Sequence, residues 1–215
     1  MAYRAGMPIR LFSYVVRRDF GFAPNPFYGW CTLATCKPRI RKSAQIGDWI
    51  MGTGGADYDL RGNLIFAMQV SEIMGFDSYW SDSRFAPKKP VLNGSLKQVY
   101  GDNIYHRQGD CWVQADSHHS LEGGLPNESN IRRDTQTDRV LLSTRFVYFG
   151  ATAPVIPVSL CSCSPTGKYL CCPGVGERIF SDSLVIDFEK WLVDCGKWGI
   201  QGLPCEFRNH PRVTV

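Results

Sequence analysis

Short apolar runs of the kind that form β-strands, rather than helical repeats, dominate this sequence and limit the folds open to it. The first four are rich in β-branched and aromatic residues and are bounded by Gly, Pro or Asn, as strands are. They are IRLFSYVV (9–16), WCTLATC (30–36), IGDWIMGTG (46–54) and NLIFAMQVSEIM (63–74). The polar segment GGADYDLRGN between the last two predicts a hairpin loop. Further extended segments are predicted at LKQVYG, DNIYHR, CWVQADS, RVLLS, FVYFG and PVIPVS.

Only the segment 181–195 predicts a substantial helix. Ser181 can cap it and Gly196 can end it. Helical spacing puts five apolar residues on one face, namely Leu184, Phe188, Trp191, Leu192 and Cys195. A short helical turn is predicted at 76–82, and 199–215 is predicted to be a loop-like, partly mobile tail.

Many short strands with one good helix predict a β-rich α+β fold. A small curled barrel or a twisted mixed sheet, with a few helices packed outside, fits this pattern. We predict a single domain over 1–215, with its core at about 9–197. The segment 160–180 is predicted to be a long, Cys-rich loop.

Charge is concentrated at the start of the chain. Residues 1–42 contain eight basic residues and one acid, a balance of +7, so a net charge of +4 leaves −3 on the rest. A basic end of this kind suits a polyanion such as nucleic acid, although a solvated basic face remains open. No apolar run approaches the roughly 18 residues of a membrane span, and no secretory signal is visible, so we expect a cytoplasmic protein.

The nine cysteines are odd in number and, without a secretory signal, favour free thiols over a disulfide framework. Four of them form the cluster Cys161, Cys163, Cys171 and Cys172. Their spacing is not that of a usual zinc knuckle. We therefore predict no cofactor, and zinc at this cluster stays a minor alternative.

The segment GWCTLATCKPRIRKSAQIGDWIMGTGG combines a strand end, a basic run and a glycine-rich strand end. Glycines allow a backbone to approach a ligand closely. The basic run Lys37, Arg39, Arg41 and Lys42 predicts phosphate contacts. A tight hairpin without a ligand is the alternative reading.

Aromatic residues make up 13% of the chain, and such rings can stack on a base. We expect most of them to be core and one or two to line a pocket. The predicted ligand pocket draws on Trp30, Cys31, Thr32, Thr35, Trp49, Gly52, Thr53, Gly54, Asn103, Tyr105 and Trp112.

The segment GDNIYHRQGDCWVQADSHHS suggests acid–base chemistry. If 111–118 is a strand, Asp116 and His118 share its non-core face at a Cα separation of about 7 Å, and His106 can join them across a hairpin. These three residues are the predicted catalytic group. A metal site, and polar residues that merely fix a loop, remain open. In NESNIRRDTQTDR, only Asp134 is a candidate site residue.

The run LFSYVVRRDFGFAPNPFYGWCTLATCKPRIRKSAQIGDWIMGTGG resembles the nucleotide modification associated domain family, second type. The resemblance continues through FDSYWSDSRFAPKKP, GDNIYHR, WVQADSHHS and NIRRDTQTDRVLLSTRFVYFG, and weakly through 181–195. It implies a place in phage or bacterial systems that modify DNA bases, with no settled reaction. The order of the segments is also similar to the PUA-like superfold in its EVE and ASCH branches. That similarity implies an aromatic base pocket around Trp30–Thr32, Trp49–Gly54 and either Tyr79 or Trp80.

Three functional hypotheses follow from this resemblance and the residues. The first is recognition of a modified base or nucleotide, with DNA or a nucleotide as the partner. The second is an enzyme of the same pathway that uses Asp116, His118 and His106. The third is a structural protein that organises other enzymes. A homodimer is possible under each of them.

Overall fold

The computed structural model describes residues 8–161, 169–171, 176–181, 183–208 and 210. Its strands are β1 (Leu11–Val16), β2 (Cys31–Leu33), β3 (Trp49–Gly54), β4 (Leu64–Gln69), β5 (Glu72–Met74), β6 (Tyr105–Gln108), β7 (Cys111–Gln114), β8 (Val140–Ser143), β9 (Arg145–Tyr148), β10 (Glu177–Phe180) and β11 (Gly199–Ile200). Its helices are α1 (Pro38–Ser43), α2 (Phe76–Ser81), α3 (Leu96–Val99), α4 (Glu128–Asp134), α5 (Val158–Cys161) and α6 (Ser183–Asp194). No helix in these described ranges is long and apolar enough to cross a membrane.

The large sheet has six strands in the order β10-β1-β3-β4-β9-β11. Strands β1 and β3 run parallel, from the pair Leu11 and Trp49 to the pair Val16 and Gly54. The pair β11 and β9 is also parallel, whereas the other pairings are antiparallel. The sheet is therefore mixed, as predicted. Its two edges, β10 and β11, do not pair, so the strands described do not close into a barrel. Kinship with the PUA-like superfold remains a prediction.

The loop between β3 and β4 is the predicted hairpin connection. Gly52 within β3 has a packing reason, because a Cβ at this position would lie 2.4 Å from the ring of Phe66. Only glycine leaves that space to the ring. The glycine therefore serves the core of the sheet rather than a ligand.

A second sheet has three strands in the order β2-β8-β5. The predicted single strand 63–74 is in fact two strands, because the hydrogen bonds change partner at its centre. Val70 donates to the carbonyl of Asp48, whereas Ser71 donates to the carbonyl of Leu142 in β8. The segment thus leaves the large sheet and joins the small one. Strands β6 and β7 form a separate hairpin.

Helix α6 confirms the predicted amphipathic helix. Leu184, Phe188 and Leu192 are buried, and the ring of Phe188 contacts Trp49 of β3 at 6.3 Å between centroids. Gly196 follows at φ 62°, the left-handed conformation in which glycine ends helices. Burial of this apolar face holds the helix against the large sheet.

Three segments differ from the predicted extended or loop structure because local hydrogen bonds favour helical turns. Residues 96–99 form α3, which Ser95 and Gln98 cap reciprocally. The basic run after Lys37 forms α1, with Pro38 in its first turn, where a missing N–H is harmless. The segment PVIPVS ends in α5.

The end of the chain also differs from the prediction. Residues 199–208 pack against the body: β11 pairs with β9, and Cys205 and Phe207 are buried. In the predicted loop 160–180, β10 forms an edge strand on β1. Cys161 and Cys171 are joined in a disulfide, which corrects the expectation of thiols at these positions. Cys163 and Cys172 lie outside the described residues.

Candidate functional site

A cavity of about 960 Å³ lies where β1 and β3 end side by side. Parallel pairing brings their carboxyl ends to one edge of the sheet, and the loops that leave those ends form much of the cavity wall. The volume is within the range of small-molecule sites. The lining residues come from 14–18, 20, 22–23, 36–37, 53–57, 61–62, 118–119, 171 and 176.

The lining is rich in positive charge. Arg17, Arg18, Lys37 and Arg61 stand against one acid, Asp57. Arg17 and Arg61 are exposed, and neither has an ion-pair partner within the described part of the chain. The Lys37 ammonium lies 4.4 Å from the centre of the Tyr14 ring, and burial lowers the pKa of this lysine. Such a wall favours an anionic ligand.

An aromatic wall adjoins the basic one. The His118 ring lies 4.4 Å from the Phe20 ring, 5.4 Å from the Phe22 ring and 5.1 Å from the Tyr100 ring, measured between centroids. His118 is exposed by its surface area, yet the rings packed on it displace water from the imidazole and lower its pKa to about 4, with the neighbouring His119 acting in the same direction. At neutral pH the imidazole is therefore uncharged, and it serves as one more flat ring.

His119 sits between a thiol and a carboxylate. Its Nε2 lies 3.7 Å from the Cys36 sulfur, and its Nδ1 lies 3.0 Å from Oδ2 of Asp134. Burial by itself would lower the pKa of His119, but its hydrogen bonds to Asp134 and Cys36 outweigh that effect and raise the pKa to about 9. Two adjacent histidines thus have pKa values displaced in opposite directions, an arrangement typical of acid–base sites.

Asp134 is fully buried and held by several donors. Its Oδ1 accepts from the Cys36 backbone N–H at 2.9 Å and from Arg133 at 3.0 Å, and its Oδ2 accepts from the Tyr105 hydroxyl at 3.0 Å as well as from His119. Burial would raise the pKa of this carboxyl, but the bonds from His119 and Arg133 lower it to about 2.

The ligand-type atoms of Cys36, His119 and Asp134 lie within 4.8 Å of one another, a spacing that could hold a metal ion. Against that use, both carboxylate oxygens of Asp134 are occupied by hydrogen-bond donors, and one of those donors is the His119 nitrogen nearest to them. A metal would need these bonds to break. The geometry is that of a hydrogen-bonded chain from carboxylate to imidazole to thiol.

The backbone that presents Cys36 is unusual. Cys36 and Lys37 have φ values of 56° and 40°, so two consecutive residues other than glycine adopt the left-handed conformation between β2 and α1. Such conformations are uncommon and cluster at functional sites. The Arg41 guanidinium supports this turn by donating to the Cys36 carbonyl at 2.8 Å.

A family model described as nucleotide modification associated domain 2 matches residues 8–211. The chain belongs to this family. The match confirms the family predicted from the sequence motifs, and its description associates the chain with nucleotide modification. Comparisons with curated proteins and with solved structures gave no significant match.

For this nucleotide modification associated domain, the structure brings four predicted site residues to the cavity: Lys37, Thr53, Gly54 and His118. Among the other predicted phosphate-binding residues, Arg39 and Lys42 are exposed on α1 and do not line the cavity. Arg41 differs most from the prediction, because its guanidinium is buried and donates to the carbonyls of Cys36, Asp134, Thr137 and Arg139.

The remaining predicted ligand residues lie away from the cavity, mostly in the core. Trp49 is 0% exposed and packs against Phe188 and Trp198. Cys31 is buried, Thr35 is buried with no hydrogen-bond partner for its hydroxyl among the described residues, and Gly52 packs on Phe66. The rings of Trp30, Trp112 and Trp80 contact Phe85, Phe76 and His106, respectively. Tyr105 is the buried donor to Asp134.

Thr32 and Asn103 belong to a closed polar cluster. The carboxylate of Asp102 accepts from Thr32 at 2.6 Å and from the Tyr79 hydroxyl at 2.8 Å. The Asn103 amide donates to the carbonyls of Tyr79 and Phe85. All of these residues are fully buried, so the cluster fixes the structure and does not meet a ligand.

The predicted catalytic residues do not share a setting. Strand β7 ends at Gln114, so the alternation expected to place Asp116 and His118 on one face stops before it reaches them. Asp116 is exposed and accepts from the Ser120 hydroxyl, whereas His106 stacks on Trp80 at 4.1 Å between ring centroids. Of the three, only His118 is among the cavity-lining residues that the structure describes.

The residues missed from the sequence include Phe20, Phe22, Cys36, His119 and Arg61. Cys36, His119 and Asp134 form a hydrogen-bonded triad that a pattern search at fixed spacing would not find. Cys36 and His119 are 83 residues apart along the chain, and His119 and Asp134 are 15 apart. The one available signal was the pair of adjacent histidines. Neighbouring side chains on a strand point to opposite faces, so only one of the two rings could lie on the predicted site face.

Proposed function

We propose that this chain recognises a nucleotide by binding it in the cavity, as a free nucleotide or as a nucleotide turned out of DNA, within a nucleotide-modification system. The observation that carries the proposal is the joining of a basic wall to an aromatic wall in one cavity of about 960 Å³. A nucleotide has the same two parts, an anionic phosphate and a flat base.

The phosphate is assigned to the basic wall. Arg17 and Arg61 are exposed and have no ion-pair partner within the described residues, and Lys37 also lines the cavity. Arginine binds phosphate oxygens in a forked geometry and stays charged at any working pH. Arg18 is already paired with Glu206, so its part is smaller.

The base is assigned to the rings of Phe20, Phe22 and His118. Stacking of a base on an aromatic side chain contributes about 1–3 kcal/mol, and it tolerates different bases. A neutral His118, with its pKa lowered to about 4, stacks without adding positive charge next to the base. The family description, which names nucleotide modification, supports the choice of a nucleotide over another anion.

The test is binding of deoxynucleoside monophosphates and of DNA to the full-length chain, measured by calorimetry. The variant Arg17→Gln/Arg61→Gln should weaken binding at least tenfold, equivalent to about 1.4 kcal/mol. On duplex DNA it should flatten the slope of log K against log salt by about two. The matched control is Arg39→Gln/Lys42→Gln, which removes two exposed charges outside the cavity. Equal weakening in both double variants would show a general charge effect and reject the cavity.

A further inference from the structure

The chain Asp134–His119–Cys36 has the order and orientation of a nucleophile with its base. Because Nδ1 of His119 faces Oδ2 of Asp134 at 3.0 Å, Nε2 is left to face the Cys36 sulfur at 3.7 Å. A thiol, an imidazole and an orienting carboxylate in this spatial order form a known type of activated nucleophile. Cys36 and His119 line the cavity, whereas Asp134 lies buried behind them.

Two further observations favour a reactive cysteine over a structural one. The left-handed turn at Cys36 and Lys37, a conformation that clusters at functional sites, holds the sulfur at the cavity. The buried Arg41 and the partly exposed Arg133 keep positive charge close to the site.

We propose that Cys36 is a nucleophile that adds to the ring of a pyrimidine nucleotide bound in the cavity, with His119 as its acid–base partner and Asp134 as the positioning residue. The substrate class rests on the proposed function. A thiolate is a soft nucleophile, and it adds to carbon–carbon double bonds that are conjugated to a carbonyl or imine group. The pyrimidine bases contain such a bond, between C5 and C6, in a ring that is not fused to another.

The step balances without an oxidant, a reductant or a leaving group. The proton of the Cys36 thiol passes to Nε2 of a neutral His119, which leaves a thiolate beside a protonated imidazole, and the sulfur electron pair then forms a bond to C6. The π bond between C5 and C6 breaks, and its electron pair moves to C5, which takes the proton from His119. The result is addition of S–H across the ring double bond. When the original C5 hydrogen, rather than the added one, is then lost as a proton to the neutral imidazole, the sulfur leaves as thiolate and the base is restored. C5 then carries a hydrogen that came from solvent.

The raised pKa of His119, about 9, supports a protonated imidazole beside the sulfur at neutral pH. Other ionisable groups also bear on this pair. They are Tyr14, Lys37, Arg41, Tyr105, His118 and Arg133. The test therefore follows the pH dependence of the sulfur itself and compares variants of His119 and Asp134.

The first experiment compares two cysteines in one molecule. The full-length chain is treated with iodoacetamide between pH 6 and 9, and alkylation of Cys36 and of the exposed, unpaired Cys111 is followed by peptide mass spectrometry. An ordinary thiol is only about 1% ionised at pH 6.5. Allowing for the lower nucleophilicity of a stabilised thiolate, Cys36 should react at least about tenfold faster than Cys111 at that pH. The ratio should fall towards pH 9.

Variants assign the effect to the triad. His119→Gln should reduce the ratio to about one and give Cys36 an ordinary pH profile, and Asp134→Asn should shift the profile part of the way. The matched control is His106→Gln, a histidine outside the cavity, which should leave the ratio unchanged. A wild-type ratio of one or less at pH 6.5, or a high ratio that persists in His119→Gln, would overturn the activated thiol.

The second experiment tests the substrate class. Exchange of the C5 hydrogen of dUMP and dCMP for deuterium is followed by NMR in D₂O. Wild type should catalyse exchange, and Cys36→Ser should lose it at least about a hundredfold. If dUMP and dCMP bind but neither exchanges, the addition step is overturned and the binding function stands. If no nucleotide binds while Cys36 remains hyper-reactive, the proposed function and the pyrimidine assignment both fail, and only the activated thiol survives.

Discussion

Asp102 and Asp134 are both fully buried carboxylates, yet their surroundings give them opposite properties. Asp102 accepts from two neutral hydroxyls, those of Thr32 and Tyr79, and burial raises its pKa. Asp134 accepts from an imidazole and a guanidinium, and its pKa falls to about 2. Burial penalises both charges, so the charge of the donors decides the outcome.

The two clusters also differ in what they adjoin. The Asp102 cluster is closed, and its cation Lys88 is fully buried and donates to Asn25 and to the carbonyl of Trp30. The Asp134 cluster ends in two side chains that line the cavity. A closed cluster can serve only the stability of the fold, whereas an open one can pass a proton to a ligand. Substitutions in the two clusters should therefore separate stability from reactivity.

The largest expected effect is on stability, in Asp102→Ala. The variant leaves the hydroxyls of Thr32 and Tyr79 without an acceptor and Lys88 without a nearby negative charge. Removal of one member of a buried charged group costs about 3–5 kcal/mol. Urea unfolding at pH 7 measures the free energy, with the exposed Asp57→Ala as control. A loss below about 1 kcal/mol would contradict the structural role of this cluster.

The second effect is the pH dependence of stability that His119 confers. Its pKa rises from an ordinary value near 6.5 to about 9 on folding, so its contribution is complete below pH 6.5 and is lost as the pH rises through 9. We expect a decrease in unfolding free energy of about 2–3 kcal/mol across that window. Asp134 acts at the other end: its contribution is complete above about pH 4 and is lost as the pH falls through its pKa of about 2. Urea unfolding from pH 5 to 9 tests the window assigned to His119. The variant His119→Gln should flatten the pH dependence of the unfolding free energy in that window. If the unfolding free energy of that variant still falls with pH as steeply as in wild type, another group causes the pH dependence.

A matched pair of tyrosines sharpens the comparison. Tyr79→Phe and Tyr105→Phe each remove one hydroxyl that donates to a buried carboxylate, Asp102 and Asp134 respectively. Each should cost about 1.5–3 kcal/mol in urea unfolding. Only Tyr105→Phe should also change the ratio of Cys36 to Cys111 alkylation, because only Asp134 orients His119. Equal changes of that ratio in both variants would mean that the two clusters are coupled.

The smallest effects are expected at the residues that the sequence suggested for catalysis. Asp116→Asn removes an exposed charge that accepts from the Ser120 hydroxyl, and His106→Gln removes a ring stacked on Trp80. Asp116→Asn should stay within about 0.5 kcal/mol of wild type. Both should leave nucleotide binding and Cys36 alkylation unchanged. A hundredfold loss of C5 exchange in either would restore the acid–base role predicted from the sequence.

The sequence predicted the elements whose signal is local. The amphipathic face of α6 and most of the strands were identified, because hydrophobic periodicity reports burial directly. The short helices α1 and α3 were missed, since a proline in the first turn of α1 and the capping box of Ser95 and Gln98 in α3 mark them rather than an apolar face. The division of 63–74 between two sheets was also missed, because a change of hydrogen-bond partner leaves no mark in the residue pattern.

The site was less predictable for a related reason. Lys37, Thr53, Gly54 and His118 were identified from local motifs, and they do line the cavity. The three members of the triad come from two loops (Cys36 and His119) and from α4 (Asp134), and only the fold brings them together. Arg41 shows the opposite error: within a basic run it looks like a ligand-binding charge, yet its guanidinium is buried and donates to four carbonyl groups.

The contacts made after α6 bear on how this protein can be shortened or tagged. The Cys205 N–H donates to the buried Asp19, Glu206 accepts from the Tyr58 hydroxyl, and Phe207 stacks on Phe27. A chain trimmed at Gly196, where the helical pattern ends, would lose all three contacts and would uncover the edge of β9. An unpaired strand edge invites aggregation. Affinity tags are therefore better fused after these anchoring residues than in place of them.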